Sequence, residues 1–529
     1  MSLIRNKILK TGDALKALSG WLLLGILYSI DLVQHPLYTE NQNTKFLHAA
    51  ATTGQGFLEH DWMANTLDPL PLFSFLAESL YRMGAIELVY ILFALLAAVF
   101  LYAMTGIADH LFGLKRHTAG VLLFLAVLFL EYKNIQLGFG TQYLLGHYFQ
   151  PCVFGVFILL SIERFLAGKP FWASAWLALA AAFHPAYMPS ALLIQGSYTA
   201  VTLFRQKKIT GDALLPLLLF IMLSSPLVIR YKLLFAPTSP AIAAEALKIL
   251  SEQRIAVHTK VSNWLNYEDY IGMALIAISM VAARKSALFW VMLPLAGLIL
   301  VTVPFLYFYS WPELEVLTPW RTSVVLLPLA WAILGGWLIV KMFPLFEKQR
   351  FAVLAATSAA VATIAITTGL HLPVQLNSFS GYGKAPEIAV MTFARRHTVS
   401  GDLWLVPTRK TEFEKVRMQG GIPVLVNWKT HPYKDHEIIE WYRRNLLAES
   451  FYRQACKTES ALTLRKLAGL YGVNHVILEA ETPLRACPEA KVIFRDSRYV
   501  ALELPRTWTT VRKKPARNNQ GNRRANMVL

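Results

Sequence analysis

Charged side chains are scarce in this sequence, and acidic ones are scarcer than basic ones. The 529 residues include 33 Asp or Glu and 51 Lys or Arg; 16% are charged and 55% hydrophobic. With a mean hydropathy of +0.42, the chain is too apolar for one soluble domain. Walker, Rossmann, Gly-x-Ser-x-Gly and HExxH patterns are absent from the sequence. Their absence removes support for soluble-type nucleotide or hydrolase chemistry.

Cysteine is almost missing too, with three residues and no C-x-x-C or Cys/His metal spacing. Cys152 falls in a predicted span and is interpreted as a small buried hydrophobe. Cys456 and Cys487 fall in a region that the charge pattern places outside the membrane. An oxidising compartment permits a disulfide there, so a Cys456–Cys487 bridge is predicted.

What the sequence does have is long apolar runs, which predict a polytopic α-helical membrane protein. A run of roughly 17–25 apolar residues can cross a hydrocarbon core of ~30 Å as a helix. About eleven runs can be distinguished, near 16–33, 85–108, 118–132, 149–166, 171–184, 187–204, 211–230, 269–283, 287–308, 321–340 and 351–370.

Lys and Arg collect in every second loop between these runs, as they do on the cytoplasmic side of membranes. Examples are Lys115 and Arg116, Lys207 and Lys208, and Lys341. This alternation of basic and non-basic loops predicts a cytoplasmic N-terminus, with the first polar loop and the C-terminal part outside. The first run lacks a small-residue cleavage site, so it is interpreted as a retained helix. The predicted location is a bacterial inner membrane.

The net charge of +18 has an ordinary source in these loops and in the basic tail. Contact with anionic lipid headgroups is the expected use of such charges, and nucleic-acid binding is not expected. Membrane lipid is therefore the first predicted partner. The oligomeric state is left open.

Hydropathy falls after residue 370, which predicts three regions. Residues 1–370 form a transmembrane domain with outside loops 34–84 and 236–268, and 371–510 form an extracytoplasmic α/β domain. Residues 511–529 form a basic, disordered tail. Helical spacing at 388–398, 436–452 and 462–471 and short apolar runs near 402–407, 473–479, 492–494 and 499–504 support the α/β prediction. Residues 427–435 combine Trp and Tyr with Lys, His and Asp; they suggest a carbohydrate surface, or more simply a solvated loop.

The first outside loop carries four carboxylates, Glu40, Glu59, Asp61 and Asp68. Carboxylates at a bilayer face are costly to place and are a default functional hypothesis. Around them lie an Ala-rich helical stretch at 46–51, glycines at 54 and 56, Trp62, and a proline-rich entry to the next helix at 68–73.

This order of residues resembles the first outside loop of polyprenyl-phosphate-dependent glycosyltransferases of the GT-C superfamily. The resemblance also covers the topology, about eleven helices followed by an outside C-terminal domain. It implies a GT-C-like transmembrane domain and an enzyme that moves a sugar from a polyprenyl-phosphate donor to an extracytoplasmic acceptor. A polyprenyl-phosphate-linked sugar is thus the second predicted partner.

The resemblance also implies roles for two acids. Glu40 matches the acid after the first helix, which acts as general base or metal ligand; Asp61, beside Trp62, matches the second acid, which orients substrate or a divalent cation such as Mg²⁺ or Mn²⁺. The chain has Glu40-Asn41 where the family commonly has an Asp-Glu pair. The alternative interpretation is that Glu40 and Asp61 only cap juxtamembrane helices.

A lipid-phosphate donor needs cations near the outer helix ends, and Arg321 is the strongest candidate because its planar fork fits phosphate. The other candidates are Lys133, Arg230 and Lys232, with His184 in the turn before Pro185 as a further hydrogen-bond donor. The alternative for these cations is that they extend towards the membrane surface and bind nothing. Arg321 could also pair with Glu313 or Glu315, and His184 could simply cap a broken helix.

Two other functions stay open from the sequence. A transporter or flippase of a lipid-linked or polar solute would carry ionisable residues in mid-span, whereas Glu163 and Asp109 lie near predicted span ends. A catalytically inactive GT-C-like assembly partner is compatible with the departure at Asn41.

Overall fold

A computed structural model describes residues 2–345, 347–382, 385–453, 458–482 and 489–509. Cys456, Cys487 and the tail beyond residue 509 lie outside the described residues, so the predicted disulfide and the predicted disordered tail remain predictions. The described chain is mostly helical, as the sequence predicted.

The described α-helices, in chain order, are α1 (Ser2–Asp31), α2 (Gln42–Lys45), α3 (Leu47–Thr52), α4 (Pro71–Arg82), α5 (Leu88–Phe112), α6 (Thr118–Leu130), α7 (Tyr132–Gln136), α8 (Val156–Leu166), α9 (Pro170–Phe183), α10 (Met188–Gln206), α11 (Gly211–Leu234), α12 (Pro240–Lys248), α13 (Ala256–Thr259), α14 (Val261–Trp264), α15 (Tyr267–Ala283), α16 (Ala287–Phe308), α17 (Pro312–Leu317), α18 (Ser323–Met342), α19 (Arg350–Tyr382), α20 (Ile388–His397), α21 (Val416–Gly420), α22 (Asp435–Arg453) and α23 (Thr458–Tyr471). Short 3-10 turns join several of them, and a π-helical segment, Ile249–Arg254, follows α12.

Five helical segments in the described part of the chain are long enough and apolar enough to cross a membrane. They are Leu88–Phe112, Gly211–Leu234, Ala287–Phe308, Pro312–Leu345 and Arg350–Tyr382. Shorter apolar helices cover Ala17–Asp31, Thr118–Leu130 and Pro170–Phe183. Membrane-length apolar helices are therefore confirmed, whereas the total of eleven and the sidedness stay predictions.

The chain divides into two compact units. The first contains residues 1–36, 86–227 and 250–379, and the second contains 37–85, 228–249 and 380–529. The predicted division instead placed residues 37–85 with the transmembrane domain and began the last domain at 371. The difference at 371 arises because α19 continues as one helix through Tyr382.

The first unit is a helix bundle in which α5 packs on α1 and α8, and α18 packs on α5, α6 and α15. Its core is made of aliphatic and aromatic side chains such as Phe93, Phe100 and Leu101, which are fully buried. Local signals set some helix starts: Asn266 and Asp269 form a capping box at α15, satisfying backbone N–H groups that the helix itself cannot pair.

The second unit contains a four-stranded sheet, counted over the described residues. Its strands are β1 (Trp404–Leu405), β2 (His475–Glu479), β3 (Lys491–Arg495) and β4 (Tyr499–Glu503), in the order β1-β2-β4-β3. β1 and β2 are parallel, β4 pairs antiparallel with β2 and β3, and a bulge separates Val492 from Phe494. Helices α20, α22 and α23 and the four strands lie where the sequence predicted helical and β structure.

Candidate functional site

Glu40 lies in a tight turn of the second unit, nine residues after the end of α1. Its φ of +50° is in the left-handed region, and its main-chain oxygen accepts from the N–H of Asn43 at 3.2 Å and from the Asn43 side-chain amide at 3.2 Å. The carboxylate is about half exposed and forms an ion pair with Lys429. The turn thus presents a half-exposed carboxylate to water beside the ammonium of Lys429.

The segment around Lys429 packs beside α2. Lys45 donates to the Tyr433 hydroxyl at 2.5 Å, and the hydroxyls of Thr44 and Thr430 lie 3.4 Å apart. Within 427–435, Asn427 and residues 430–432 are buried and Tyr433 is exposed, so the segment is only partly open to water. Its residues Lys429, Thr430 and Tyr433 contact the first loop.

Asp61 is fully buried, and protein donors occupy both of its carboxylate oxygens. Oδ2 accepts from Nε of Arg417 at 2.8 Å and from the N–H of Val424 at 2.8 Å. Oδ1 accepts from the N–H of Ala64 at 3.0 Å. Arg417 is itself 1% exposed. The pair ties the first loop to residues 417–424, which lie more than 350 positions later in the sequence.

Glu40 and Asp61 do not form a joint ligand set, because each pairs with a different cation. No group of three or more His, Cys, Asp or Glu side chains in the described ranges is arranged to hold a metal ion. A divalent cation such as Mg²⁺ or Mn²⁺ therefore stays a prediction from the resemblance, and Glu40 and Asp61 would have to leave their present partners to bind it together.

Trp62 is half-buried, and one face of its indole is covered. The guanidinium of Arg444 lies 4.0 Å from the centroid of Trp62 and 4.6 Å from that of Tyr471. Nε of Arg444 donates to Glu440 at 2.9 Å. Trp62 also packs against the buried apolar cluster that includes Leu58 and Met63, so a sugar could contact only the part of the indole that neither neighbour covers.

The start of α22 carries two acids with opposite pKa shifts. Burial raises the pKa of Glu437, whose carboxylate accepts from the N–H of Leu67 at 3.1 Å. Burial also acts to raise the pKa of Asp435, but hydrogen bonds from Thr238 and His436 and the charge of Lys434 outweigh it, so that pKa is lowered. The other loop acids have simpler contacts: Asp68 accepts from the N–H of Leu70 at 2.8 Å, and Glu59 is an exposed neighbour of His60.

Arg321 and His184 meet in the first unit although 137 residues separate them. Nη1 of Arg321 lies 3.0 Å from Nε2 of His184, and Nε donates to the Thr318 hydroxyl at 3.3 Å. Because arginine has no acceptor, His184 accepts through Nε2. Both carboxylate oxygens of Glu315, by contrast, accept from Lys260, at 2.9 and 2.8 Å. Arg321 and His184 together form a cationic, hydrogen-bonding pair at helix ends.

Within the described residues, the three other predicted cations have contacts of their own or none that defines a site. Lys232 is exposed near the end of α11. Lys133 is exposed in α7, with its ammonium 5.6 Å from the Tyr132 ring centroid. Arg230, in the second unit, lies 3.5 Å from the main-chain oxygen of Asp68.

Sequence reasoning missed two arrangements. One is the pairing of Glu40 with Lys429; the only sequence signal was the polar-aromatic composition of 427–435. The other is a buried cluster in the first unit, in which the Asp31 carboxylate lies 3.2 Å from Nδ1 of His371 and Nε2 of His371 lies 3.2 Å from the Tyr132 hydroxyl. The available signal was an acid in the first apolar helix and a histidine just past the last apolar run.

Comparisons with known proteins give limited matches. The family model described as "Domain of unknown function (DUF6798)" matches residues 385–448. No curated protein matches the chain. Among solved structures, the chain is similar to ArnT from Cupriavidus metallidurans bound to undecaprenyl phosphate, with 11% identity, a TM-score of 0.49, and coverage of 95% of this chain and 100% of that one. It is also similar to the Archaeoglobus fulgidus oligosaccharyltransferase complex with Zn and sulfate, with 12% identity, a TM-score of 0.44, and coverage of 87% and 68%.

Proposed function

We propose that this protein is a GT-C-like membrane glycosyltransferase that moves a sugar from a polyprenyl-phosphate donor to an extracytoplasmic acceptor. The observation that carries the proposal is Glu40: a half-exposed carboxylate, ion-paired with Lys429, in a left-handed turn shortly after the first apolar helix. A general base must come within hydrogen-bond reach of an incoming hydroxyl, and a half-exposed carboxylate is open to such an approach.

In the proposed reaction Glu40 removes the proton of the acceptor hydroxyl as its oxygen attacks the anomeric carbon of the sugar. The bond from that carbon to the donor phosphate breaks, and polyprenyl phosphate leaves with the bonding electrons. Lys429 holds the Glu40 carboxylate in place through their ion pair before the acceptor arrives.

Arg321 is proposed to bind the donor phosphate. Its contact with His184 supports this role, because an imidazole that accepts through Nε2 orients the guanidinium without cancelling its charge. Lys133 and Arg230 are proposed as further cations for the donor, and Trp62 as a sugar contact through the part of its side chain that stays exposed. Asp61 is proposed as a positioning residue that holds the loop through Arg417.

The reaction can be tested with mass spectrometry of cell-envelope glycans and lipid-linked sugars in cells with and without the gene. Transfer predicts a missing glycan modification together with accumulation of one lipid-linked sugar in the deletion strain. Identical glycan and lipid-linked sugar profiles would contradict it.

A transporter of a lipid-linked or polar solute is the second candidate, and one observation favours it. Asp31 and Tyr132 are buried and His371 is partly buried in the first unit. Like Glu163 and Asp109 they lie near the ends of predicted spans, but the three contact one another, and buried ionisable groups in membrane proteins often mark a solute or proton path. A transporter would move the lipid-linked sugar across the membrane without changing its covalent structure. In the same mass spectra, a lipid-linked sugar that accumulates on the cytoplasmic side alone would favour transport over transfer. If the protein is an inactive GT-C-like assembly partner, replacing Glu40 would alter neither the envelope glycan nor the lipid-linked sugar.

A further inference from the structure

An apolar cleft of about 180 Å³ opens in the first unit where α18 packs beside α6 and α15. It is lined by Val127 and Leu275 and by three adjacent pairs of α18 residues that repeat every four positions, Ala330 and Trp331, Leu334 and Gly335, and Leu338 and Ile339. Such spacing places them along one side of the helix. No side chain in this lining carries a charge, so the occupant must be hydrocarbon.

Gly335 helps keep the cleft open. A Cβ at this position would lie 3.3 Å from the ring of Phe124, so a larger residue would fill the space beside α6. The size of the cleft limits its occupant: an apolar cavity of ~150 Å³ holds one benzene molecule, whereas a helix is ~10 Å across. A segment of a single hydrocarbon chain fits, and a helix of another protein does not.

Basic residues gather at the end of the cleft where α6 begins and α18 ends. The ring centroids of His117 and Phe343 are 4.2 Å apart, so the basic turn Leu114–Arg116 and the last turn of α18 lie side by side. Lys341 is exposed, with its ammonium 5.5 Å from the Trp337 centroid. Arg116 is exposed as well.

One acid, Asp109 of α5, pairs with this turn. Asp109 lies 3.8 Å from the ammonium of Lys115 and accepts from its N–H at 2.8 Å. Glu347 is an exposed acid at the same end, and its N–H donates to the main-chain oxygen of Phe343 at 3.0 Å. Basic residues still outnumber acidic ones there, with Lys115, Arg116 and Lys341 against Asp109 and Glu347. A hydrocarbon cleft that ends in cations matches a ligand with an apolar chain and an anionic head.

We propose that this cleft binds an anionic phospholipid, with one acyl chain along α18 and the phosphate on Lys341 and Arg116. On the predicted orientation the lipid belongs to the cytoplasmic leaflet, because the basic turn is cytoplasmic. The lipid site is independent of the sugar-transfer reaction and concerns different residues.

The test is native mass spectrometry of the purified full chain titrated with dioleoylphosphatidylglycerol and, separately, dioleoylphosphatidylcholine. Phosphatidylglycerol is expected to bind more tightly. Lys341→Gln is expected to weaken it about five-fold, which corresponds to ~1 kcal/mol per basic residue near a charged lipid surface. Lys348→Gln, the matched control on another exposed lysine, is expected to leave binding unchanged.

A second pair of variants tests the apolar part. Leu275→Phe fills the cleft and is expected to reduce binding of both lipids, whereas Ile278→Phe, an exposed position on the same helix outside the cleft, is not. Equal affinity for the two lipids would overturn the proposal, as would equal effects of Lys341→Gln and Lys348→Gln. Lys341 is exposed, so Lys341→Gln should not impair folding. The lipid comparison with this variant therefore still tests the proposal if Leu275→Phe does impair folding.

Discussion

Asp61 and Glu40 differ in how far water reaches their carboxylates, and this difference separates their roles. Asp61 is fully buried on Arg417, whereas Glu40 is half exposed beside Lys429. Breaking a buried ion pair leaves an uncompensated charge in the interior, whereas an exposed pair contributes little to stability. Stability and activity should therefore respond separately to changes at the two acids.

Replacing Asp61 by Asn should destabilise the second unit by about 3–5 kcal/mol, because the charge of Arg417 loses its partner. Thermal unfolding followed by limited proteolysis of the second unit measures this. The matched control, Glu59→Gln, changes an exposed acid of the same loop and should stay within about 0.5 kcal/mol of the original protein. Unchanged stability in Asp61→Asn, together with lost sugar transfer, would assign Asp61 a chemical role instead.

His475 gives the second unit a pH dependence. It is mostly buried in β2, stacked on Trp404 with centroids 4.4 Å apart, and burial lowers its pKa below 6.5. The unfolded chain binds the proton more readily than the folded one. The stability contributed by neutral His475 is therefore complete above pH 6.5 and is lost as pH falls through the lowered pKa.

Hydrogen exchange of β2 in the full chain, corrected for the intrinsic effect of pH, should show weaker protection at pH 5.5 than at pH 7.5. In His475→Gln this loss should become smaller. A loss of the same size in the variant would place the pH dependence on other groups.

Single candidate residues could be predicted from the sequence, whereas their contacts with distant residues could not. Arg321 and His184 were each predicted from local context, yet their contact depends on packing across 137 residues. The burial of Asp61 could not be predicted, because its partner Arg417 lies 356 positions away and looks like an ordinary surface arginine.

Among the elements, α19 shows why hydropathy underestimates helix length. The apolar run ends at residue 370 because His371, Gln375 and Asn377 are polar, but the helix continues to Tyr382. Its 33 residues span about 50 Å at ~1.5 Å per residue, well beyond a ~30 Å hydrocarbon core. Hydropathy reports where the membrane ends, whereas backbone hydrogen bonding decides where the helix ends.

The turn at Gly56 joins two loop elements of the second unit closely. Its φ is +58°, and a Cβ there would lie 2.3 Å from the main-chain oxygen of Gly421, which accepts from the N–H of Phe57 at 2.8 Å. Gly54 also has a positive φ, +72°, but its Cβ would meet open space. A substitution at Gly54 therefore introduces backbone strain alone, whereas a substitution at Gly56 introduces both strain and crowding.

Gly54→Ala should cost about 1–2 kcal/mol, the strain of a left-handed conformation for an L-residue. Gly56→Ala should cost clearly more, because the loop must also move away from Gly421. Thermal unfolding of the two variants side by side measures the difference. Equal losses would show that the contact with Gly421 contributes nothing.

At the scale of the whole molecule, the sequence predicted a helical membrane part and a C-terminal α/β part. It did not predict that residues 37–85 and 228–249 belong to the same compact unit as the C-terminal part. Hydropathy cannot make that assignment, because it classifies segments along the chain and does not report which polar segments pack together. The assignment depends on specific pairs such as Thr238 with Asp435, at 2.6 and 2.7 Å.

The charge pattern makes a prediction about sidedness. In a chain whose three cysteines are replaced by Ser, Arg396→Cys should react with an impermeant thiol reagent added outside intact cells. Lys208→Cys should react only after the membrane is opened, because basic loops stay cytoplasmic. Both side chains are exposed in the structure, so burial will not limit labelling. The reverse pattern would contradict the predicted orientation.

The most direct test of sugar transfer is the Glu40→Gln variant returned to a strain that lacks the gene. The variant should be present in the membrane in normal amount, leave the envelope glycan unmodified and let the lipid-linked sugar accumulate, with a loss of at least ~100-fold in transfer. The Glu59→Gln variant should restore the glycan. Restoration of the glycan by Glu40→Gln would contradict its role as the base and, with it, the central claim.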